Sequence, residues 1–290
     1  MSVTEEKLQK IHRYVTDLFP KPERRAEYEL SPEQVRFYRE NGYVKGGRVV
    51  DDRQLAALRE GVELFWSGKN PRMHELYEID QAWMDDPKKN LFHILGMWLI
   101  DESFHDLLWH SAVTVKVSQL MDSPRVRFWH DQVFYKPAHN PGVVAWHQDY
   151  SYWTRATPPR HLTCNIALDD TTLENGCLHY VPGSHKWPLL PKLNLLKDME
   201  GVKTILNPEQ LAGFKPEPMI VKAGECTFHH AFTMHGSYGN HSDFPRRTIA
   251  LNFMHPETRC EDGRFPLLYG APCVPTGQII QGDHFPILLE

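Results

Sequence analysis

The stretch from 125 to 254 limits most strongly how this chain can fold. After Ser123-Pro124 it becomes rich in Val, Ile, Phe, Tyr and Thr, set in short runs broken by Gly and Pro. Strands are expected near 125–136, 143–150, 161–168, 177–181, 219–222, 226–235 and 246–254. Short strands in series after a helical first third predict a mainly β fold with flanking helices, a β-sandwich or jelly roll.

The first third carries the helix signals. Residues 1 to about 30 read as a polar arm. Ser31-Pro32-Glu33-Gln34 then supplies an N-cap, a proline at the first helical position and a Gln closing a capping box, with Leu30 and Val35 placed as a hydrophobic staple. Asn41-Gly42 reads as the left-handed stop and Tyr43-Val44-Lys45 as an extended piece. Asp51 or Asp52 should cap a second helix with Leu55, Leu58, Val62 and Phe65 on one stripe. Residues 70–122 read as mixed helix and loop, most helical at 104–110 and 115–121. The stretch between His185 and Met219, rich in Leu and Pro, has the length of a lid. Without repeats or a linker, one domain over 1–290 is expected. It comprises a helical arm and flanking helices (1–122), a jelly-roll core (123–255) with a lid insertion (186–219), and a loop-rich tail (256–290) whose apolar end docks on the body.

Strand faces show where polar groups converge. Side chains alternate along a strand, so 226–235 sets Thr227, His229, Ala231, Thr233 and His235 opposite Phe228, His230, Phe232 and Met234. In 246–254, Arg246, Thr248, Ala250 and Asn252 share a face; in 161–168, Thr163, Asn165 and Ala167 do. Three strands with a small, polar face suit a sheet wrapped around a wet site. His147-Gln148-Asp149 would put an imidazole and a carboxylate on one side of an extended backbone. With a second imidazole they form the start of a 2-His-1-carboxylate set, which caps one face of an octahedral ferrous ion and leaves three positions open.

Composition removes other classes. The formal charge is −5 with no long Lys/Arg run, which argues against nucleic-acid binding. The apolar run from Leu91 to Ile100 is interrupted by His93 and falls short of the ~20 residues of a membrane span. Five scattered cysteines lack zinc or C-x-x-C spacing, and the acidic start lacks a leader's apolar core. A cytoplasmic protein acting on a small molecule, without nucleic acid or membrane, is expected.

His147-Gln148-Asp149, then His235-Gly236-Ser237, Asn240 and Arg246, resembles the phytanoyl-CoA dioxygenase family. Lys136-Pro137, Ala167-Leu168-Asp169-Asp170, Glu174-Asn175-Gly176-Cys177-Leu178, Val181-Pro182-Gly183-Ser184-His185-Lys186 and Lys222-Ala223-Gly224-Glu225 match as well, over roughly residues 31–255. The resemblance implies a double-stranded β-helix (jelly roll, cupin-like) and an Fe(II)- and 2-oxoglutarate-dependent dioxygenase that uses O2. It implies His147, Asp149 and His235 as iron ligands and Arg246 as the clamp on the far carboxylate of 2-oxoglutarate, with Ser237 in support. His130, Gln132 and Asn165 are expected near the co-substrate, and Tyr150 and Trp153 along the substrate pocket. His229 lies on the same face as His235 but six residues earlier, and the family spacing selects His235. The expected reaction hydroxylates an unactivated C–H and releases succinate and CO2. A zinc-dependent hydrolase or lyase and a non-catalytic jelly-roll metabolite-binding protein are the alternatives.

Overall fold

The computed structural model describes residues 16–20, 23–79, 86, 92–195 and 199–290; the expected arm before residue 16 lies outside them. The first helix, α1 (Pro32–Asn41), opens on the Ser31–Gln34 capping box and stops at Gly42, whose φ of 83° suits glycine. Strand β1 (Tyr43–Arg48) follows at once. Asp51 and Gln54 cap α2 (Asp52–Trp66), and its stripe Leu55, Leu58, Val62 and Phe65 is buried. Strands β2 (Glu78–Ile79) and β3 (Phe92–Leu95), then helices α3 (Glu102–Leu107) and α4 (Ser111–Leu120), complete the first third. The remainder runs β4 (Val126–Lys136), β5 (Val144–His147), β6 (Ala156–Thr157), β7 (His161–Ala167), β8 (Leu178–Tyr180), α5 (Pro208–Gly213) and β9 (Glu217–Pro218). It closes with β10 (Glu225–His230), β11 (His235–Ser237), β12 (Arg246–Met254), β13 (Arg259–Cys260) and β14 (Ile287–Leu289).

These strands form a jelly roll. The large sheet runs β1-β10-β7-β12-β4-β3-β2, with β14 also on β4; the small one runs β5-β11-β8-β9; β13 pairs with β6. Every second residue of the central strands (Cys164, Ile166, Phe228, Ile249, Leu251, Phe253) faces the core that also holds the α2 stripe. Phe228 is fully buried there. Phe228→Ala should therefore cost about 3–5 kcal/mol of unfolding free energy, measured by denaturant titration.

Four expectations change. Residues 70–122 are not only helix and loop: β2 and β3 extend the large sheet, β3 pairing with β4. The strand expected over 143–150 ends at His147, and the chain turns into a short 3-10 helix, Asp149–Tyr152. The strand expected over 226–235 splits between the sheets. Its break is held by the Gly42 carbonyl, which accepts from His230 N (2.8 Å) and Thr233 Oγ1 (2.7 Å). A Cβ on Gly42 would collide with His185 and Thr233. Residues 219–222 are not a strand, although Met219 N still donates to Leu178 O at 2.7 Å and Thr171 N to Val221 O at 2.9 Å.

The insertion and the tail both dock. Leu190, Met199, Val202 and Leu206 pack with Trp146, Val181 and Met234. Gln148 anchors the insertion's start, accepting from Leu190 N (2.8 Å) and donating to Pro188 O (3.3 Å). The expected docking of the chain's apolar end is realised as β14 on β4. Among the described residues no helix is long and apolar enough to cross a membrane.

Candidate metal centre and co-substrate pocket

Register brings the polar faces together. Antiparallel pairing of β5 with β11 sets His147 opposite His235, their ring centroids 4.1 Å apart. On the large sheet, His130, Asn252, Thr163 and His229 form one row across β4, β12, β7 and β10. Gln132, Ala250, Asn165 and Thr227 form the next, and Arg246 stands opposite Lys136. A cavity of ≈ 400 Å³ is lined from both sheets, by His147, His235 and Ser237 on one side and Gln132, Thr163, Asn165, His229, Arg246 and Thr248 on the other.

Among the described residues, His147, Asp149 and His235 bring metal-capable atoms within 4.8 Å of one another. His147 Nε2 lies 3.4 Å and His235 Nε2 3.6 Å from Asp149 Oδ1. Each ring fixes its tautomer by donating Nδ1–H to a backbone carbonyl two residues earlier, Ala145 O at 2.8 Å and Thr233 O at 2.9 Å. Both Nε2 atoms are therefore turned away from the backbone and toward Asp149 Oδ1. Burial pushes His235 well below the ordinary histidine value. Burial alone would raise Asp149, yet charge and hydrogen-bond interactions with His235, His147 and His229 hold it well below the usual carboxylate range. Two imidazoles and one carboxylate form a donor set that suits a ferrous ion, which takes imidazole and carboxylate ligands together.

Arg246 and Lys136 form a second feature. Both are buried, and Nε and Nη1 of Arg246 have no hydrogen-bond partner among the described residues. Lys136 Nζ donates to Ser237 Oγ at 2.8 Å. Burial pushes Arg246 down to about 10, and burial together with Arg246 pushes Lys136 well below its ordinary value. Lys136 also donates to the backbone carbonyls of Ser237 and Tyr238, so the spare donors are those of Arg246, and a buried guanidinium with unused N–H groups makes an anion site. The face count selects Arg246; Arg247 instead binds Asp169 through Nη2–Oδ1 at 2.7 Å.

The substrate side differs from expectation. Trp153 lines the cavity, its ring 5.4 Å from that of His130, but Tyr150 does not. Tyr150 stacks on Phe232 at 5.3 Å and donates to Ala156 O at 3.0 Å, because the 3-10 turn after Asp149 swings it into the core. Tyr152 takes the wall, edge-on to His147 at 5.9 Å, with Lys192 Nζ 4.7 Å from its ring centroid. Leu195, Leu267, Leu268 and Tyr269 also contribute. Arg155 holds that part of the tail by donating to the carbonyls of Asp262 (Nε, 3.0 Å) and Pro266 (Nη1, 3.0 Å). Sequence reasoning did not single out Lys136, although alternation along β4 puts it on the face of His130 and Gln132. Nor did it find His93, which lines the cavity and lies 3.1 Å from Gln132 Nε2.

The family model for phytanoyl-CoA dioxygenase (PhyH) matches residues 38–248. A probable alpha-ketoglutarate-dependent hypophosphite dioxygenase of Stutzerimonas stutzeri is 26% identical over 225 residues, covering 76% of this chain and 77% of that protein. A methylphosphonate hydroxylase of Gimesia maris is 25% identical over 226 residues, covering 77% and 80%. Among solved structures, the non-heme alpha ketoglutarate dependent carbocyclase SnoK from nogalamycin biosynthesis aligns with a TM-score of 0.70 and 25% identity, covering 89% of this chain and 96% of that one.

Proposed function

Because this chain belongs to the phytanoyl-CoA dioxygenase family of Fe(II)- and 2-oxoglutarate-dependent dioxygenases, we propose that His147, Asp149 and His235 hold the iron and that Arg246 receives the far carboxylate of 2-oxoglutarate. The observation that carries this reading is the buried guanidinium of Arg246, whose Nε and Nη1 have no partner among the described residues, in the same cavity as the three donors. Bound iron, with 2-oxoglutarate and O2, supplies the oxidation of a substrate C–H, and succinate and CO2 are the co-products.

The chain's own residues position and exclude. The guanidinium fork fixes one end of the diacid, with the charge of Lys136 behind it, and aims the 2-oxo acid end toward His147 and His235. Ser237 keeps Lys136 in place. Gln132, His130 and Asn165 line the wall beside the co-substrate. Tyr152, Trp153, Leu195 and Leu268 give the remaining space an apolar wall, which favours an organic substrate presenting an unactivated C–H and keeps bulk water away. The named substrates of the two curated relatives are small phosphorus compounds; the ≈ 400 Å³ cavity has room for a larger body. We treat residues 1–290 as one oxygenase domain whose 186–219 insertion covers this cavity.

The test is to supply the protein with Fe(II), 2-oxoglutarate, O2 and ascorbate and to measure succinate. Slow succinate release without added substrate, faster with the right one, is expected. Zinc-dependent turnover of some other compound with 2-oxoglutarate untouched would replace this reading by a hydrolase. Binding of 2-oxoglutarate with no succinate from any candidate substrate would replace it by a sensor.

A further inference from the structure

We infer that His229, with Thr163, holds the second oxygen of Asp149 off the metal, so that Asp149 binds through Oδ1 alone. The inference rests on the reading of Asp149 as an iron ligand. His229 Nε2 lies 2.9 Å and Thr163 Oγ1 2.8 Å from Asp149 Oδ2. The other oxygen, Oδ1, faces His147 and His235. The two oxygens thus have different partners.

An ionised carboxylate only accepts, so His229 donates to it from Nε2. Nδ1 of the same ring lies 2.9 Å from the Tyr180 hydroxyl, which in turn lies 2.9 Å from Thr227 Oγ1. Thr227, Tyr180 and His229 form a hydrogen-bonded line that ends on Oδ2. Tyr180 is itself fully buried and stacks on Tyr43 at 4.9 Å. Tyr43 in turn donates to Glu217 at 2.5 Å. Thr163 Oγ1 also lies 2.8 Å from Asn252 Oδ1 and shares its one hydrogen between the two acceptors. Rotating Asp149 to chelate would break the bond from His229, leaving a buried N–H unsatisfied, and give up the Thr163 contact.

The consequence is a coordination count. Three protein atoms and a chelating 2-oxoglutarate would use five of the six positions open to a ferrous ion, leaving one for O2. A bidentate aspartate would take that last position. The bond to Oδ2 also explains why His229, although its ring lies 4.3 Å from that of His235 across the cavity, is left out of the ligand set: its Nε2 is already committed.

The test is anaerobic titration of apoprotein with Co(II), read by its visible absorption, before and after adding 2-oxoglutarate. His229→Phe should weaken Co(II) binding roughly 10- to 100-fold and alter the spectrum of the 2-oxoglutarate complex. His229→Gln, whose amide can still donate to Oδ2, should restore most of both. Wild-type affinity and spectrum in His229→Phe would overturn the inference. Should that variant not fold, the isosteric Thr163→Val reads the same quantity: weaker binding with a changed spectrum supports the inference, and an unchanged titration and spectrum overturn it. Failure of the iron reading looks different, because wild type and Asp149→Ala would then titrate alike.

Discussion

Replacing His147 with alanine should leave a folded protein that no longer retains ferrous ion and forms no succinate. The side chain ends in the cavity, touching Tyr152 and His235 rather than the apolar core, so its loss exposes no core and costs little stability. What it removes is one of three donors. The remaining pair, Asp149 and His235, would hold the ion through two atoms, and the variant cannot recruit His229, whose Nε2 is bound to Asp149 at 2.9 Å. The loss of metal affinity should exceed the roughly 10- to 100-fold that follows loss of an outer hydrogen-bond partner. Iron content after desalting measures the first effect, and succinate released per protein measures the second. Stoichiometric iron in His147→Ala would remove this residue from the ligand set.

The convergence of His147, Asp149 and His235 was legible in sequence for a reason that the fold corrects in part. Alternation along one continuous strand was expected to align His147 with Asp149, and the strand in fact stops at His147. The two still converge because the following 3-10 turn brings Asp149 back beneath the ring. His235 likewise reaches the site from the small sheet, not along the strand that carries His229. Gly42 holds that break through a tertiary contact some 190 residues distant in sequence, which no local pattern in 226–235 could announce. Helix caps, by contrast, are local chemistry, and Ser31 and Asp51 start α1 and α2 where they were expected. The row His130, Asn252, Thr163, His229 needs four strands in register. Each strand's face could be read alone; which residues become neighbours depends on pairing, and the spacing within a strand does not contain it. Strands β2 and β3 were missed because short runs at a sheet edge carry too little alternation to distinguish them from loop.

Arg246 should respond in the opposite sense to an ordinary core residue. Removing a paired buried charge strands its partner and destabilises. Here Nε and Nη1 find no partner among the described residues: Arg246 stands opposite the buried Lys136, and burial already disfavours the charge on both. Arg246→Met, similar in length and apolar, relieves that repulsion and desolvation, so in the absence of ligand the apoprotein should melt no lower than wild type. The cost should surface only with 2-oxoglutarate. Losing one side of a buried charge pair costs about 2–5 kcal/mol, equivalent to a rise in KM of roughly 30-fold to several thousand-fold. Arg246→Lys should recover only part of this, because an ammonium cannot present two parallel donors to a carboxylate. Ligand-induced thermal stabilisation follows the ratio of concentration to Kd. A 2-oxoglutarate series should therefore raise the wild-type melting temperature and leave that of Arg246→Met nearly flat, although the variant starts at or above wild type. Equal 2-oxoglutarate affinity in the two proteins would withdraw Arg246 as the clamp. A large loss of apoprotein stability would show instead that the guanidinium is paired within the fold, and that its role is to hold the two sheets together rather than to wait for a diacid.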